Sequence, residues 1–400
     1  MLNKSTLTSV FSFKKYPKLS LVFFNLGLLL FIFIVFEITL RILTPDWLKY
    51  KMNYLSAGDL KGYGTDGNWN VKLKDGQFYS FTPNSSFKMY HAEYEKTVHI
   101  NNLGGRCTEV NEKIDTNNIV PFIGDSFTMG VGVEDTETIV AITKRITKNN
   151  FLNLGVSGTC IVDQRKIINY RYNELHNPSI VIYGFFLGND FDEIIKECSK
   201  SADTSTAAIK TKTISKPILE SGFLWDVNYF INHDNFLNKI YTLQFLKQKL
   251  LNIFNKNSKD IHIDPVFQVM NSANEAYLNQ VKKILDMEIN ILSTEPYKSI
   301  VVIIPDRYQI YPKIRNDRRA YYNIDEKNIN PFLPNQILIS FLDKYKIHYI
   351  DPTQCLIDHR NEGPLYYTQD SHFTNLGQKT ISLCIADTLQ KIISKMKSSD

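Results

Sequence analysis

The apolar positions of this chain fall into three regimes. From Leu19 to Phe36 they run on without a single charge. At helical rise the run spans about 27 Å, close to the ~30 Å hydrocarbon core of a bilayer. It leaves no polar face for a soluble core helix, so it predicts a transmembrane helix over 19–43. Glu37 and Arg41 close that helix as an i,i+4 acid–base pair. Between 44 and 118 lies a lead-in whose apolar positions come in short alternating pieces. Gln77-Phe78-Tyr79-Ser80-Phe81 and Thr97-Val98-His99-Ile100 have the period of small strands. Asn102-Leu103-Gly104-Gly105-Arg106 reads as a turn.

From 119 onward, apolar runs alternate with helical spacing. Ile119–Ile123, Phe151–Leu154, Ser179–Phe186, Tyr297–Ile304 and Ile347–Ile350 read as strands. Glu137–Thr147 and roughly Leu376–Lys395 read as helices. Strands alternating with helices imply an α/β domain with a parallel sheet covered on both faces. Residues 191–296 stand apart as a helical insertion in the 119–400 domain. In it, 200–216 is Ser/Thr/Lys-rich, and Trp225 to Phe254 has amphipathic helical spacing. Ser272-Ala273-Asn274-Glu275 has the pattern of a capping box. The insertion is a candidate lid or substrate wall, with a plain spacer as the alternative.

Charge orients the anchor. Lys4, Lys14, Lys15 and Lys18 precede the run, and Arg41, Lys49 and Lys51 follow it. That places residues 1–18 in the cytoplasm and the body outside. Trp47, Tyr50 and Tyr54 fit an outer aromatic belt. A cleaved signal peptide is the rival reading. However, the run exceeds an ordinary apolar region of a signal, and the first alanine is Ala57, so no A-x-A site follows it. The net charge of +5 is spread without a basic stripe or zinc spacing, which gives nucleic-acid binding no support. The five cysteines form no CxxC. Their irregular spacing predicts mostly buried thiols rather than a disulfide framework.

The strand ends carry the candidate chemistry. In open α/β sheets, ligands gather at the carboxyl ends of the strands. The first strand stops at Gly124-Asp125-Ser126, which places a hydroxyl at the start of a helix. The second stops at Gly155, and the third at Gly188-Asn189-Asp190. Asp370-Ser371-His372 lies just before the last helix. Acyl transfer through serine needs a nucleophile, a base, a group that orients the base, and donors for the developing oxyanion. Each residue has a plainer use. The secondary readings are a helix N-cap for Ser126, turn residues for Gly155 and Asn189, and a helix cap or turn residue for Asp370. His348, in a strand pattern, reads as core, and His359 as a loop residue. Asp306 and Arg307 remain unassigned.

Taken in order, Gly124-Asp125-Ser126, Gly155, Gly188-Asn189-Asp190 and Asp370-x-His372 resemble the four blocks of the SGNH/GDSL hydrolase superfamily, across roughly 100–395. Ile123-Gly124-Asp125-Ser126-Phe127-Thr128-Met129-Gly130, Asn102-x-x-Gly105-Arg106 and Glu37-x-x-x-Arg41 resemble a bacterial membrane-anchored branch of it. The resemblance implies a three-layer, flavodoxin-like sandwich. It implies Ser126 as nucleophile, His372 as base and Asp370 as its partner. It also implies an oxyanion hole of Ser126 N–H, Gly155 N–H and the Asn189 amide, with no metal or cofactor. One departure is plain: the superfamily usually has Asp-x-x-His, and the residue three before His372 is Gln369. The shorter Asp-x-His spacing is similar to the alginate O-acetyltransferase-like branch.

The expected function is therefore hydrolysis or transfer of acyl groups, chiefly acetyl, on a cell-surface glycan, by a domain held outside the cell membrane. Two alternatives stand beside it: a catalytically silent binding component of an envelope polysaccharide assembly, and a lipid esterase or thioesterase.

Overall fold

In the computed structural model the described residues are 17–43, 64–65, 70–72, 78–91, 93–109, 112, 114, 118–202, 240, 242–243, 245–246, 263–368 and 370–398. Trp47, Tyr50, Tyr54, Gln369 and most of the 203–262 stretch lie outside them. The chain divides into two units. One comprises Met1–Ala57 with Lys216–Lys259, the other Gly58–Ser215 with Asp260–Asp400.

The first unit is built on helix α1 (Pro17–Ile42), long and apolar enough to cross a membrane. Its large apolar side chains are exposed nearly all round. Arg41 Nη2 pairs with Glu37 Oε1 at 2.7 Å, and Glu37 Oε2 accepts the Thr242 N–H at 2.7 Å. The rings of Phe36 and Phe245 meet edge-on at 5.8 Å.

The second unit opens with small antiparallel pieces. β1 (Gly64–Thr65) pairs with β4, and β2 (Asn70–Lys72) pairs with β3 (Phe78–Phe81). β4 (Ser86–His91) and β5 (Tyr94–His99) form a hairpin with register from Ser86↔His99 to His91↔Tyr94. Its alternation buries Phe87, Met89, Tyr94 and Val98.

The five strands read from the sequence then form one parallel sheet: β6 (Val120–Gly124), β7 (Phe151–Asn153), β8 (Ile180–Phe186), β9 (Lys298–Ile304) and β10 (His348–Ile350). The order is β7-β6-β8-β9-β10. Counted within the sheet this is the flavodoxin-like 2-1-3-4-5, whose direction reverses between β6 and β8. The pleat sorts side chains between two cores. Val181, Tyr183 and Phe185 of β8 face helices α4 (Ile161–Arg171), α5 (Asp190–Ala202), α6 (Glu275–Ser293) and α7 (Leu333–Lys344). Ile180, Ile182 and Phe186 face α3 (Ile139–Thr147), α8 (Thr353–His359) and α9 (Asn375–Ser398). Every residue of β8 is buried, as a central strand covered on both faces requires.

Several expectations need correction. Both ends of the stretch read as an insertion are core of the sandwich. Phe191 and Ile194 of α5, and Leu278, Val281, Leu285 and Ile289 of α6, are buried in the first cluster. The capping box at Ser272 does not form. Asn274 caps α6 without a side-chain bond, because the Ser272 hydroxyl donates to Asn328 O instead. His348 is exposed, since β10 is an edge strand. His359 ends α8 rather than lying in a loop, and its Nδ1 is 2.8 Å from Cys355 O. Cys355 and Cys384 form a disulfide, while Cys107 and Cys160 are buried thiols and Cys198 a half-buried one.

One buried cation fastens the loop beyond β6. Arg106 is fully buried. Its Nη1 donates to Met129 O (3.0 Å) and Gly130 O (2.5 Å), its Nη2 to Val133 O (2.6 Å) and its Nε to Asp135 Oδ1 (2.9 Å). Its own N–H pairs with Asn153 O at the end of β7. The sequence showed only a turn here; a guanidinium fork matched to three carbonyls has no local signature. Replacing Arg106 with Met takes the guanidinium from Asp135 and from the carbonyls of Met129, Gly130 and Val133. It is expected to cost about 3–5 kcal/mol, read by chemical denaturation of the full chain in detergent, and Arg106→Lys should not restore it.

Candidate active site

β6 ends at Gly124, and the chain turns at once into a short helix, α2 (Ser126–Met129). The turn is possible only without a side chain at Gly124. A Cβ there would sit 2.1 Å from Thr128 Oγ1, and one at its sheet partner Gly184 would sit 2.2 Å from the same atom. Asp125 caps the helix: its Oδ1 accepts the Phe127 N–H at 2.9 Å. Asp125 is buried, and burial pushes its carboxyl up to about 7 against the pull of the Phe127 N–H and the His372 charge. Asp190, at the end of β8, is raised well above the carboxylate range by burial first and then by Asp125. Two strand ends thus place two desolvated acids behind the Ser126 turn.

Ser126 stands at the first turn of the helix, half-buried. His372 Nε2 lies 2.8 Å from Ser126 Oγ, and His372 Nδ1 lies 2.8 Å from Asp370 Oδ2. These residues are separated by 246 positions along the chain, and the loop before α9 brings them together. The short Asp-x-His spacing closes because Ser371 takes a left-handed backbone, φ 64°. That turns the carboxylate back onto the ring two residues on. The Ser371 hydroxyl donates to Asp370 O at 2.6 Å, a local bond of the kind that lets a short polar side chain occupy this region. Burial pushes the Asp370 carboxyl upward, but His372, Tyr94 and His91 outweigh it and hold the group below its ordinary value. The imidazole is packed against Phe127, ring centroids 4.9 Å apart, and Phe127 stacks on Phe186 at 3.9 Å.

The expected oxyanion donors fare unevenly. The Gly155 N–H donates to Asn153 Oδ1 at 3.0 Å, closing a turn inside its own loop. That corrects its reading as an open donor. What the position demands is the missing side chain, because a Cβ there would lie 2.1 Å from Met129 N. The Asn189 amide donates one hydrogen to Glu193 Oε1 at 2.7 Å, which leaves the second. The Ser126 N–H begins a helix and has no carbonyl four residues earlier within that helix to receive it.

Two residues at the site, Glu93 and Tyr94, escaped the sequence reading, and a third, Arg307, was left unassigned by it. Glu93 and Tyr94 reach Asp370 from the β4–β5 hairpin. Arg307 donates to Thr368 O at 2.9 Å from the end of β9. None sits in a recognisable pattern; only the tertiary fold brings them here. Among the described residues, Cys355, His359 and Cys384 have the spacing of metal ligands, but the two sulfurs are bonded to each other.

No family model matches this chain, and no curated protein does. Solved structures do. A lipolytic protein of the G-D-S-L family from Veillonella parvula is 13% identical, over 67% of this chain and 96% of its own, with a TM-score of 0.34. A lipase/acylhydrolase from Enterococcus faecalis is 13% identical over 68% and 96%, TM-score 0.35. An acetylxylan esterase from Geobacillus stearothermophilus is 13% identical over 69% and 95%, TM-score 0.33. The chain's own strand order decides the architecture, with the four blocks standing in sequence at its strand ends and before α9. The architecture is a flavodoxin-like α/β sandwich.

The contact between Asp370 and His372 hinges on Ser371. Ser371→Gly is expected to keep the reactivity of Ser126 toward a fluorophosphonate. Ser371→Val, whose branched Cβ resists a left-handed backbone, should slow labelling about tenfold, the equivalent of 1–3 kcal/mol of backbone strain.

Proposed function

We propose that this chain is an SGNH-type serine ester hydrolase or O-acyltransferase acting on small acyl esters, chiefly acetyl, of a cell-surface glycan. The observation that carries the reading is the double contact of one imidazole, 2.8 Å from the Ser126 hydroxyl and 2.8 Å from the Asp370 carboxylate.

The steps follow from that geometry. Ser126 Oγ attacks the ester carbonyl as its proton passes to His372 Nε2. Asp370 accepts from Nδ1–H, which fixes the tautomer and stabilises the imidazolium. The carbonyl oxygen, now an anion, takes hydrogen bonds from the Ser126 N–H and the second amide hydrogen of Asn189. Collapse breaks the ester C–O bond, and the leaving alcohol takes the proton back from His372. Water, or a sugar hydroxyl, then gives its proton to His372 and attacks the acyl-serine. The products are a free acid with water, and a new ester with a sugar; either way Ser126 is regenerated.

The glycan and the location have their own support. The charge pattern around α1 favours a cytoplasmic N-terminus and an outward body. A disulfide between Cys355 and Cys384 fits an oxidising compartment. The Asp-x-His spacing is similar to that of O-acetyltransferase-like proteins. The silent-binder alternative draws on that short spacing and on the large insertion, and the contact between Asp370 and His372 weighs against the first of these.

The test is Ser126→Ala in the full-length protein in detergent, assayed on p-nitrophenyl acetate with and without an unacetylated polysaccharide. A loss of at least ~1,000-fold is expected, with acetylated polysaccharide appearing only for the parent chain if transfer is the reaction. Unchanged turnover in the variant would reject the mechanism.

A further inference from the structure

The β4–β5 hairpin belongs to the lead-in, outside the parallel sheet, yet its turn grips the loop that carries the base. Glu93 places both carboxylate oxygens on backbone N–H groups of that loop: Oε1 on Thr368 N and Oε2 on Asp370 N, each at 2.9 Å. The Tyr94 hydroxyl donates to Asp370 Oδ2 at 2.8 Å. That is the same oxygen that faces His372 Nδ1. The Tyr94 ring is buried and lies 5.1 Å from the Tyr367 ring. The Tyr367 hydroxyl donates to Gly132 O at 2.8 Å, in the loop that follows Ser126. From the far side, Arg307 holds Thr368 O. The loop is thus fastened at its backbone from two directions, and its one functional carboxylate is fastened at the oxygen that matters.

We propose that Glu93 and Tyr94 are positioning residues of the esterase. Glu93 fixes the backbone from which Asp370 projects, and Tyr94 sets how strongly Asp370 draws on the His372 proton. The inference rests on the function proposed above. Its physical basis is competition for one oxygen. A carboxylate oxygen that accepts a phenolic O–H has less charge to offer an imidazolium. Asp370 therefore orients His372 while the pull of that oxygen on the Nδ1 proton is shared with the Tyr94 hydroxyl. Besides Tyr94, Asp370 interacts with His372, His91, Tyr367 and, through its N–H, Glu93, and the buried Asp125 interacts with His372. His91 Nδ1 lies 3.8 Å from Glu93 Oε2, and its ring is 5.4 Å from that of Tyr94.

The sign follows. Tyr94→Phe removes the donor and keeps the ring. Asp370 becomes a stronger acceptor, the proton affinity of His372 rises, and the acid limb of kcat/KM moves to higher pH. The experiment uses the full-length protein in detergent, p-nitrophenyl acetate turnover and fluorophosphonate labelling, over roughly pH 5 to 8. Tyr94→Phe is expected to fall about 3- to 10-fold below the parent on the acid side and to converge with it on the alkaline side. Glu93→Gln, which turns an amide N–H toward one of the two backbone donors, should lower kcat at every pH with little change in KM.

A Tyr94→Phe profile with an unmoved acid limb overturns the inference, whether its rates are parental or uniformly lower, since packing alone would do no more. If that variant does not fold, 3-fluorotyrosine at position 94 serves instead. Its more acidic hydroxyl is a stronger donor and should move the limb to lower pH, and an unmoved limb again overturns the idea. Ser126→Ala in the same assays separates the two readings. If it stays active, the esterase account fails. If it is dead while the Tyr94→Phe limb is parental, only the positioning role fails.

Discussion

The site depends on one short span of backbone. Asp370 and His372 are two residues apart, and an extended chain would point alternate side chains along one face without folding one onto the other. The left-handed conformation at Ser371 bends that span until carboxylate and ring share a hydrogen bond. Such a conformation costs free energy at a residue with a side chain, so it persists only where its surroundings over-determine it. Here the surroundings are Glu93 on two backbone N–H groups, Arg307 on a carbonyl, and the Tyr366–Phe373 bridge closing the loop behind.

The nucleophile side is fixed by different means. Gly124 and Gly184 let Thr128 press into the sheet, Asp125 caps the turn, and Arg106 collects the carbonyls that leave it. Buried polar groups of this kind specify one arrangement because any shift would leave them unpaired. The acids behind the turn are a cost of the same design: burial raises both Asp125 and Asp190, and Asp125 raises Asp190 further. Ser126, at the reversal between β6 and β8, is therefore held by the sheet, while His372 is held by loops.

That division explains what could be read in advance. The strands were legible because burial on both faces leaves continuous apolar runs, as in Ile180–Phe186. Ser126, Asp370 and His372 were legible because chemistry at strand ends leaves short polar blocks. Helix α4 was missed because Gln164 and Arg171 are buried beside Ile161, Ile167 and Ile168, which blurs its apolar period. The 191–296 stretch was misjudged because core helices frame it on both sides. Glu93 and Tyr94 were invisible because their meaning lies in a contact across roughly two-thirds of the chain. The Cys355–Cys384 pair, 29 positions apart, follows from the packing of α8 against α9 rather than from cysteine spacing.

The central claim is that one hydroxyl, activated by one imidazole, carries the acyl group. The most direct measurement is peptide mass spectrometry of the full-length protein after brief exposure to p-nitrophenyl acetate and an acid quench. The account predicts an acetyl adduct on the peptide containing Ser126, absent when His372 is replaced by Ala. An adduct on another residue, or one on Ser126 that forms as readily without His372, would contradict it.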